Sequence, residues 1–360
     1  MNIRALSSCA FLVALALPAA AQRPEADPAA QQVERQATQP LNNAPVWREV
    51  RSGVPAETTV RGRETNVLIQ PTLKLPGLPA VSGGEAWRLA RVPLASAGGV
   101  IIAFVLVALA GFYRWRGSIG LHARPTGRLI RRFSPAERIV HWSVAISFCV
   151  LGITGLIMGL GKYLLLPVIG HTLFALLAGL SKELHNFIGP IFSLFLPALI
   201  FMFVRDNLPK LYDLQWLKTF GGMLSKEAHD APSGRFNAGE KGLFWVLPFV
   251  LCITLVISGY VLDFPNFDQT RRVMQQASLV HMIAAALAIA VAFFHIYLGT
   301  IGQHGAYQAM RTGYVDEAWA KEHHAYWYED VKAGRSRQKF ADDVPAETRA
   351  RVIEAIRENA

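Results

Sequence analysis

The stretch SLVHMIAAALAIAVAFFHIYLG at residues 278–299 decides the fold, because it is apolar almost throughout yet carries two histidines, His281 and His295. The two histidines are 14 residues apart, close to four turns of an α-helix, so both rings leave the same face. At a rise of about 1.5 Å per residue they lie about 21 Å apart along the axis, which is most of the hydrocarbon thickness of a bilayer. A polar ring at each end of a membrane helix is costly unless each ring has a partner.

The composition indicates a membrane protein with soluble flanks. Of the 360 residues, 52% are hydrophobic and 17% are charged, which is too apolar for an ordinary soluble domain. The formal charge of +10 lies largely in arginines beside apolar runs, which favours membrane topology and lipid contact over nucleic-acid binding. The three cysteines form neither a metal-binding spacing nor a CxxCH motif, so covalently attached c-type haem is excluded.

The amino-terminal region is typical of a secreted leader followed by a polar stretch. Residues 1–21 combine Arg4, an apolar run and a small-residue cleavage site near Ala21, which predicts a signal peptide. Residues 22–90 are predicted to be extracytoplasmic and partly disordered, because they are rich in Pro, Ala, Gln, Arg and Glu with little apolar periodicity.

The predicted fold is an all-α transmembrane bundle with about five spans. Residues 91–304 form this membrane domain, and residues 305–360 form a charged cytoplasmic tail. The expected spans are approximately 93–114, 138–160, 183–204, 242–262 and 278–302.

Positive charges orient the bundle in a bacterial inner membrane. Seven arginines and a single acidic residue, Glu137, lie between or beside the first two spans, so this loop is expected in the cytoplasm. The mature N-terminus is then periplasmic, in agreement with the signal peptide, and the C-terminus is cytoplasmic. The seven arginines are Arg114, Arg116, Arg124, Arg128, Arg131, Arg132 and Arg138.

One apolar segment, 163–180, does not fit this scheme. It contains Pro167, Gly170 and His171 and has almost no loop on either side. A sixth span would also place the 206–240 loop outside the cell, in conflict with the orientation that the charges indicate. We therefore expect an interfacial or re-entrant helix at the outer face.

The topology pairs four membrane histidines by depth. His185 starts a span at the outer face and matches His281, forming the outer pair; His141 starts a span at the inner face and matches His295, forming the inner pair. Two facing pairs of imidazoles suit bis-histidine ligation of two non-covalent b-type haems. Small residues would admit the flat macrocycles, the candidates being Gly152, Gly155, Gly189 and Gly259.

The other histidines are weaker candidates. His171 is the substitute ligand if one assignment fails, and His304, just after the last span, is a candidate for a pocket at headgroup level. Four more lie in charged loops or the tail, where solvated surface positions are expected: His122, His229, His323 and His324.

Over about residues 85–330 the chain resembles the cytochrome b gamma subunit of respiratory, membrane-bound formate dehydrogenases, the cytochrome b556 family. The resemblance is carried by RFSPAERIVHW at 132–142, ELHNFIGP at 183–190, FNAGEK at 236–241 and the spacing of His281 and His295. The signal peptide, the extracytoplasmic stretch and one additional span resemble the longer form of the subunit.

The resemblance implies ligands, a quinone site and partners. It implies the same two haem-ligand pairs, and a site where quinone is reduced beside Asn237, Gly239 and His295. It also implies an iron–sulfur beta subunit and a molybdenum- or tungsten-pterin alpha subunit that oxidises formate, so no catalytic residue is predicted in this chain. By the residues alone, the NAG motif at 237–239 is equally typical of a capped helix start.

Several alternatives remain open. A dihaem cytochrome b subunit of a nickel–iron hydrogenase or a thiosulfate reductase would have the same histidine pattern. A proton channel or transporter would use histidines as relays and would be colourless, usually with internal repeats, which the sequence lacks. A purely structural anchor would tolerate loss of all four histidines.

Overall fold

A computed structural model describes residues 72–73, 81–223, 231–267 and 269–357. The predicted signal peptide and nearly all of the predicted disordered stretch lie outside the described residues. Two short strands, β1 (Thr72–Leu73) and β2 (Val81–Ser82), pair antiparallel just before the first long helix.

Five helices of the described part are long and apolar enough to cross a membrane, as predicted. All five are longer than the expected spans. In chain order the helices up to the last span are α1 (Gly83–Arg116), α2 (Pro135–Leu164), α3 (Leu166–Phe203), α4 (Asp213–Thr219), α5 (Ala238–Phe244), α6 (Ile253–Asp263) and α7 (Arg271–Tyr297).

Two of the spans contain π-helical turns. A π-helical stretch, Trp245–Cys252, joins α5 to α6, so that Ala238–Asp263 forms one continuous span. Pro248 lies inside it and has no N–H to donate, which disturbs the regular hydrogen-bond ladder. A second π-helical stretch, Leu298–Gly302, ends the last span.

Local capping explains where two of the spans begin. The Ser134 hydroxyl accepts a hydrogen bond from the Glu137 N–H, and the Glu137 carboxylate accepts one from the Ser134 N–H. Pro135 occupies the first helical position, where a missing N–H costs nothing. Asn237 and Glu240 form the same reciprocal box at the start of α5.

Segment 163–180 adds no sixth candidate span among the described residues, as predicted, but it does not form a separate helix. The chain turns at Leu165, a left-handed Gly170 (φ 75°) breaks the helix once, and 171–180 is the first part of the long α3. Residues 171–203 are helical for about 50 Å, well beyond a hydrocarbon core of about 30 Å. Pro190 and Pro197 also lie inside α3, yet Gly170 is the position at which its backbone is not helical.

The helices pack around α7. Helix α1 packs along α7, α2 and α3 form an antiparallel hairpin, and α6 lies against both α7 and α3. Alanines at four-residue spacing, Ala284, Ala288 and Ala292, are buried on α7. Their small side chains allow neighbouring helices to approach closely, a common means of packing membrane helices.

The predicted tail folds as a compact layer on one end of the bundle. Strand β3 (Leu129–Arg131), from the loop before α2, is the centre of a three-stranded antiparallel sheet with β4 (Tyr314–Asp316) and β5 (Phe340–Ala341). The remaining helices are α8 (Ala306–Thr312), α9 (Glu317–His323), α10 (Ala325–Lys332) and α11 (Ala346–Arg357).

This sheet layer has an apolar core of its own. Trp319, Trp327, Ile130, Val352 and Ile356 are all nearly inaccessible to solvent. Because β3 and β4 pair directly, the α1–α2 loop and the C-terminal region lie on the same side of the bundle. Four candidate spans separate this loop from the C-terminal region, and α1 precedes the loop. An even number of spans returns the chain to the same side, so the arrangement agrees with five spans in total.

Candidate functional site

The structure brings together the histidines that depth had paired. The imidazole centroids of His185 and His281 are 6.1 Å apart, with ring planes at 71°. The centroids of His141 and His295 are also 6.1 Å apart, with ring planes at 63°. Three helices supply the four residues: α2 carries His141, α3 carries His185, and α7 carries His281 and His295.

The separation within each pair suits one metal ion between two rings. A bond from a metal to an imidazole nitrogen is about 2 Å long, and a ring centroid lies about 1 Å from that nitrogen, so opposing ligands have centroids roughly 6 Å apart. Both pairs match this value. Among the described residues, no three His, Cys, Asp or Glu side chains converge on a common point. Each pair thus offers two protein ligands, as a bis-histidine haem requires.

Glycines contact the outer pair. A Cβ at Gly155 of α2 would lie 3.4 Å from Cε1 of His185, and one at Gly259 of α6 would lie 3.5 Å from Cε1 of His281. Each ring therefore lies against a helix at a point without a side chain. Of the other predicted small residues, Gly152 faces Ile289 on α7, and Gly189 has no described atom within 4 Å of its Cβ position.

Hydroxyl groups on the outer pair are a feature that the sequence argument missed. Oγ1 of Thr154 is 2.9 Å from Nδ1 of His185, and Oγ of Ser258 is 2.9 Å from Nδ1 of His281. The signal was present as a repeated hydroxyl–glycine dipeptide, Thr154-Gly155 in α2 and Ser258-Gly259 in α6. It becomes visible only once the partner helix of each histidine is known.

The inner pair has different surroundings. Nδ1 of His141 is buried, and no hydrogen-bond partner for it exists among the described residues. The Glu240 carboxylate, at the start of α5, lies close enough to His295 to interact with it electrostatically. The end of the bundle next to the sheet layer is thus charged rather than apolar.

Two buried arginines hold this charged end together. Arg132 donates to Glu240 at 3.0 Å and to the Arg235 carbonyl at 2.9 Å. Arg235 donates to Glu137 at 3.0 Å and to Asp206 at 2.6 Å. This inner-end charge cluster, comprising Arg132, Arg235, Glu137, Asp206 and Glu240, connects the start of α2, the end of α3 and the start of α5.

Two of the predicted quinone-site residues, Asn237 and Gly239, have roles in the local structure of α5. Oδ1 of Asn237 accepts the capping hydrogen bond from the Glu240 N–H at 2.9 Å, so the capped-helix interpretation is confirmed. A Cβ at Gly239 would lie 2.5 Å from the Trp216 indole, so this glycine is required for close packing of α4 on α5.

Several other histidines do not lie where they were expected. His323 and His324 are 2% and 1% exposed, so the expectation of solvated positions is wrong for them. They lie under Trp319 in the sheet layer. Burial, followed by the nearby Arg132, lowers the pKa of His324 well below its usual value.

The remaining histidines are outside both pairs. His304 is buried, whereas His171 is exposed on α3 and His122 forms a 2.5 Å contact with Glu322 at the surface. His229 lies outside the described residues.

Comparison with known proteins identifies relatives over the same region. A family model described as prokaryotic cytochrome b561 matches residues 132–313. The cytochrome b556(fdo) subunit of formate dehydrogenase from Escherichia coli strain K12 is 30% identical over 205 residues, covering 56% of this chain and 93% of that protein.

Two further relatives have similar names. The nitrate-inducible formate dehydrogenase cytochrome b556(Fdn) subunit of the same strain is 27% identical over 223 residues, covering 60% of this chain and 98% of that protein. The formate dehydrogenase cytochrome b556 subunit of Haemophilus influenzae is 28% identical over 206 residues, covering 56% and 83%.

Proposed function

This chain belongs to the prokaryotic cytochrome b561 family, and from that premise we propose that it is the membrane anchor and electron-transfer subunit of a formate dehydrogenase complex. The observation that carries the proposal is the presence of two histidine pairs, each with centroids 6.1 Å apart, at the two ends of one helix. The names of the relatives supply the enzyme complex.

Each histidine pair would hold one b-type haem. His185 and His281 are the proposed axial ligands at the outer face, and His141 and His295 at the inner face. The haem iron, when bound, supplies reversible one-electron chemistry. The role of the protein is to fix two ligand levels about 21 Å apart, the rise over fourteen helical residues, so that electrons can pass from one face of the membrane to the other.

The partners and the direction of transfer follow from the proposed orientation. A molybdenum- or tungsten-pterin subunit in the periplasm would oxidise formate, and an iron–sulfur subunit would pass the electrons to the outer pair. Electrons would then leave near His295 at the cytoplasmic face. The arginine-rich loop that includes β3 supports this orientation, because positive loops favour the cytoplasm.

Quinone would be reduced beside the inner pair, with protons taken from the cytoplasm. Because Oδ1 of Asn237 accepts the capping hydrogen bond, the side-chain amide N–H groups are the donors for a quinone carbonyl. Gly239 would present backbone on the same turn, and His295 would connect the site to the inner pair. Inward movement of electrons with proton uptake inside would build a membrane potential.

The decisive experiment is an optical spectrum with haem quantitation of the purified full chain. We expect a reduced-minus-oxidised b-type band and about two haems per chain. His171→Ala, which changes an exposed histidine outside both pairs, is the matched control for the ligand variants. A colourless protein, or a haem content unchanged in His295→Ala, would refute the proposal and would favour a channel or a structural anchor.

The identity of the complex needs a second measurement. Affinity purification of the full chain from its native membrane should recover an iron–sulfur protein and a pterin enzyme, and the preparation should reduce a quinone with formate. Recovery of a nickel–iron hydrogenase or a thiosulfate reductase would assign the same dihaem chain to a different complex.

A further inference from the structure

The outer histidines share a hydrogen-bonding arrangement that is absent from the inner pair. On α2, Thr154 contacts Nδ1 of His185, which is on α3; on α6, Ser258 contacts Nδ1 of His281, which is on α7. Both distances are 2.9 Å, and both hydroxyl residues are buried, with 4% and 5% exposure. The same contact therefore occurs twice, between two different pairs of helices.

The helix backbone determines the direction of these hydrogen bonds. Oγ1 of Thr154 is 2.8 Å from the Val150 carbonyl oxygen, and Oγ of Ser258 is 2.6 Å from the Thr254 carbonyl oxygen. A carbonyl oxygen only accepts, and a hydroxyl has a single hydrogen, so that hydrogen is committed to the backbone. The hydroxyl oxygen must therefore accept from the imidazole, and Nδ1 of each histidine must carry the proton.

This arrangement selects one tautomer for both outer histidines. A neutral imidazole has one protonated and one unprotonated nitrogen, so protonation at Nδ1 leaves the lone pair on Nε2. Nε2 is therefore the nitrogen available as a metal ligand.

Within the described part of the chain, the inner pair has no such hydrogen bonds. Nδ1 of His141 is buried without a hydrogen-bond partner in the described part of the chain. No described hydroxyl or carbonyl is hydrogen-bonded to His295 either, and its charged neighbour, Glu240, interacts only through space. The two pairs therefore have the same centroid separation but differ in the hydrogen bonding of the ring nitrogen that would not bind the metal.

We propose that Thr154 and Ser258 are positioning residues that tune the outer haem. A hydrogen bond accepted from Nδ1–H fixes the ring orientation and makes the imidazole a stronger donor to the metal. Stronger donation stabilises the ferric state relative to the ferrous state, so it lowers the reduction potential. The outer haem should therefore have the lower of the two midpoint potentials.

The consequence concerns the direction of electron transfer, and it rests on the proposed function. One electron from an iron–sulfur cluster would reduce ferric iron to ferrous iron at His185 and His281. The same electron would then pass to ferric iron at His141 and His295. A lower potential at the outer pair makes this second transfer favourable, so the hydroxyl groups on α2 and α6 would bias electrons towards the quinone end.

The test is a redox titration of the purified full chain, followed through the b-type absorption band. Thr154→Val and Ser258→Ala remove the hydroxyls with little change in shape. We expect each variant to raise one midpoint potential, the two changes together to raise it further, and the other midpoint to stay at the wild-type value. His141→Ala, which should retain only the outer haem, identifies which midpoint belongs to the outer pair.

Matched variants separate tuning from general packing. Ser147→Ala removes another buried hydroxyl of α2, which donates to the Ser143 carbonyl at 2.6 Å and is hydrogen-bonded to no described histidine. It should leave both potentials unchanged. Thr154→Ser and Ser258→Thr keep the hydroxyl and should retain the wild-type values.

Defined outcomes would overturn the inference. It fails if both haems are present and neither potential moves in Thr154→Val and Ser258→Ala, or if Ser147→Ala gives an equal shift. It also fails if both hydroxyl-free variants lose a haem that the hydroxyl-conserving variants keep, because the hydroxyls would then hold the ligand rather than tune it. Absence of any b-type haem would instead refute the proposed function.

Discussion

The two ends of the helix bundle present histidine pairs of equal spacing in unlike surroundings. The outer pair lies among apolar helices, where each ring contacts a hydroxyl and a glycine of a neighbouring helix. The inner pair lies next to a folded layer in which buried arginines are paired with partly buried carboxylates. The comparison indicates that helix packing gives both pairs the same separation between imidazole rings. The neighbouring groups, by contrast, determine the hydrogen bonding and the electrostatic surroundings of each pair.

The largest expected effect is the selective loss of one haem. His185→Ala should remove the outer haem and His141→Ala the inner haem, because each variant leaves one ligand of a bis-histidine pair unpaired. Haem quantitation should give about half of the wild-type content in either variant. Loss of both haems from a single substitution would show that the two ends are not independent.

The next largest effect should appear at the inner end alone. Arg235→Met removes the cation shared by Glu137 and Asp206, and breaking a buried ion pair costs about 3–5 kcal/mol. We expect a lower melting temperature and easier loss of the inner haem, because two partly buried carboxylates, 14% and 23% exposed at their side chains, lose the buried cation that they share. Thermal unfolding followed at the haem band measures both effects.

The control for Arg235 is an exposed pair in the same layer. Arg335 and Asp330 are 64% and 50% exposed at their side chains. Surface pairs contribute about 0–1 kcal/mol, so Arg335→Met should change the melting temperature little. Equal losses in both variants would argue against a special role for the buried cluster.

A smaller effect is expected where α4 packs on α5. Gly239→Ala would place a Cβ 2.5 Å from the Trp216 indole, and overpacking of this kind costs about 1–3 kcal/mol. Gly242→Ala, on the same helix, meets no described atom within 4 Å and is the matched control. Thermal unfolding should separate the two variants.

Gly239→Ala also bears on the quinone proposal when it is combined with a substitution of Trp216. If Gly239 serves only to accommodate Trp216, Gly239→Ala combined with Trp216→Leu should restore both stability and quinone reduction. If stability returns but quinone reduction does not, the glycine has a second role at the proposed quinone site.

The smallest expected effect is a pH dependence of the sheet layer. Burial, with Arg132 and His323 nearby, lowers the pKa of His324 well below its usual value in the folded chain. The unfolded chain therefore binds a proton below about pH 6.5 that the folded chain rejects. The stabilising contribution is complete above about pH 6.5 and falls as the pH is lowered further, by at most about 1.4 kcal/mol per pH unit.

Hydrogen exchange of residues 314–333 at pH 7.5, 6.5 and 5.5 would measure this trend. We expect faster exchange at the lowest pH and a weaker trend in His324→Gln. Because the outer pair lies at the opposite end of the bundle, exchange near Thr154 should change less. A pH trend of the same size in His324→Gln would assign the effect to another group.

Much of the membrane domain could be predicted from local patterns. The five spans follow from apolar runs of sufficient length, and the histidine pairs follow from combining helical rise with the direction of each span. The continuity of segment 163–180 with α3 could not be predicted, because Pro167 and Gly170 indicate a break but not where the helix resumes. The buried positions of His323 and His324 were missed because they depend on β3, nearly 200 residues earlier in the sequence.

The sequence by itself determined which histidines could share a depth in the membrane. The helical rise gives the depth of a residue within its span, and the charges of the loops give the direction of each span; both can be read from the sequence without knowing how the helices pack. Only the tertiary structure decided what surrounds each pair. The Thr154 and Ser258 hydroxyls reach histidines on other helices, and Arg235 joins Glu137 to Asp206 across three segments. Such contacts depend on how helices rotate and pack against one another, and no spacing within one helix specifies that rotation.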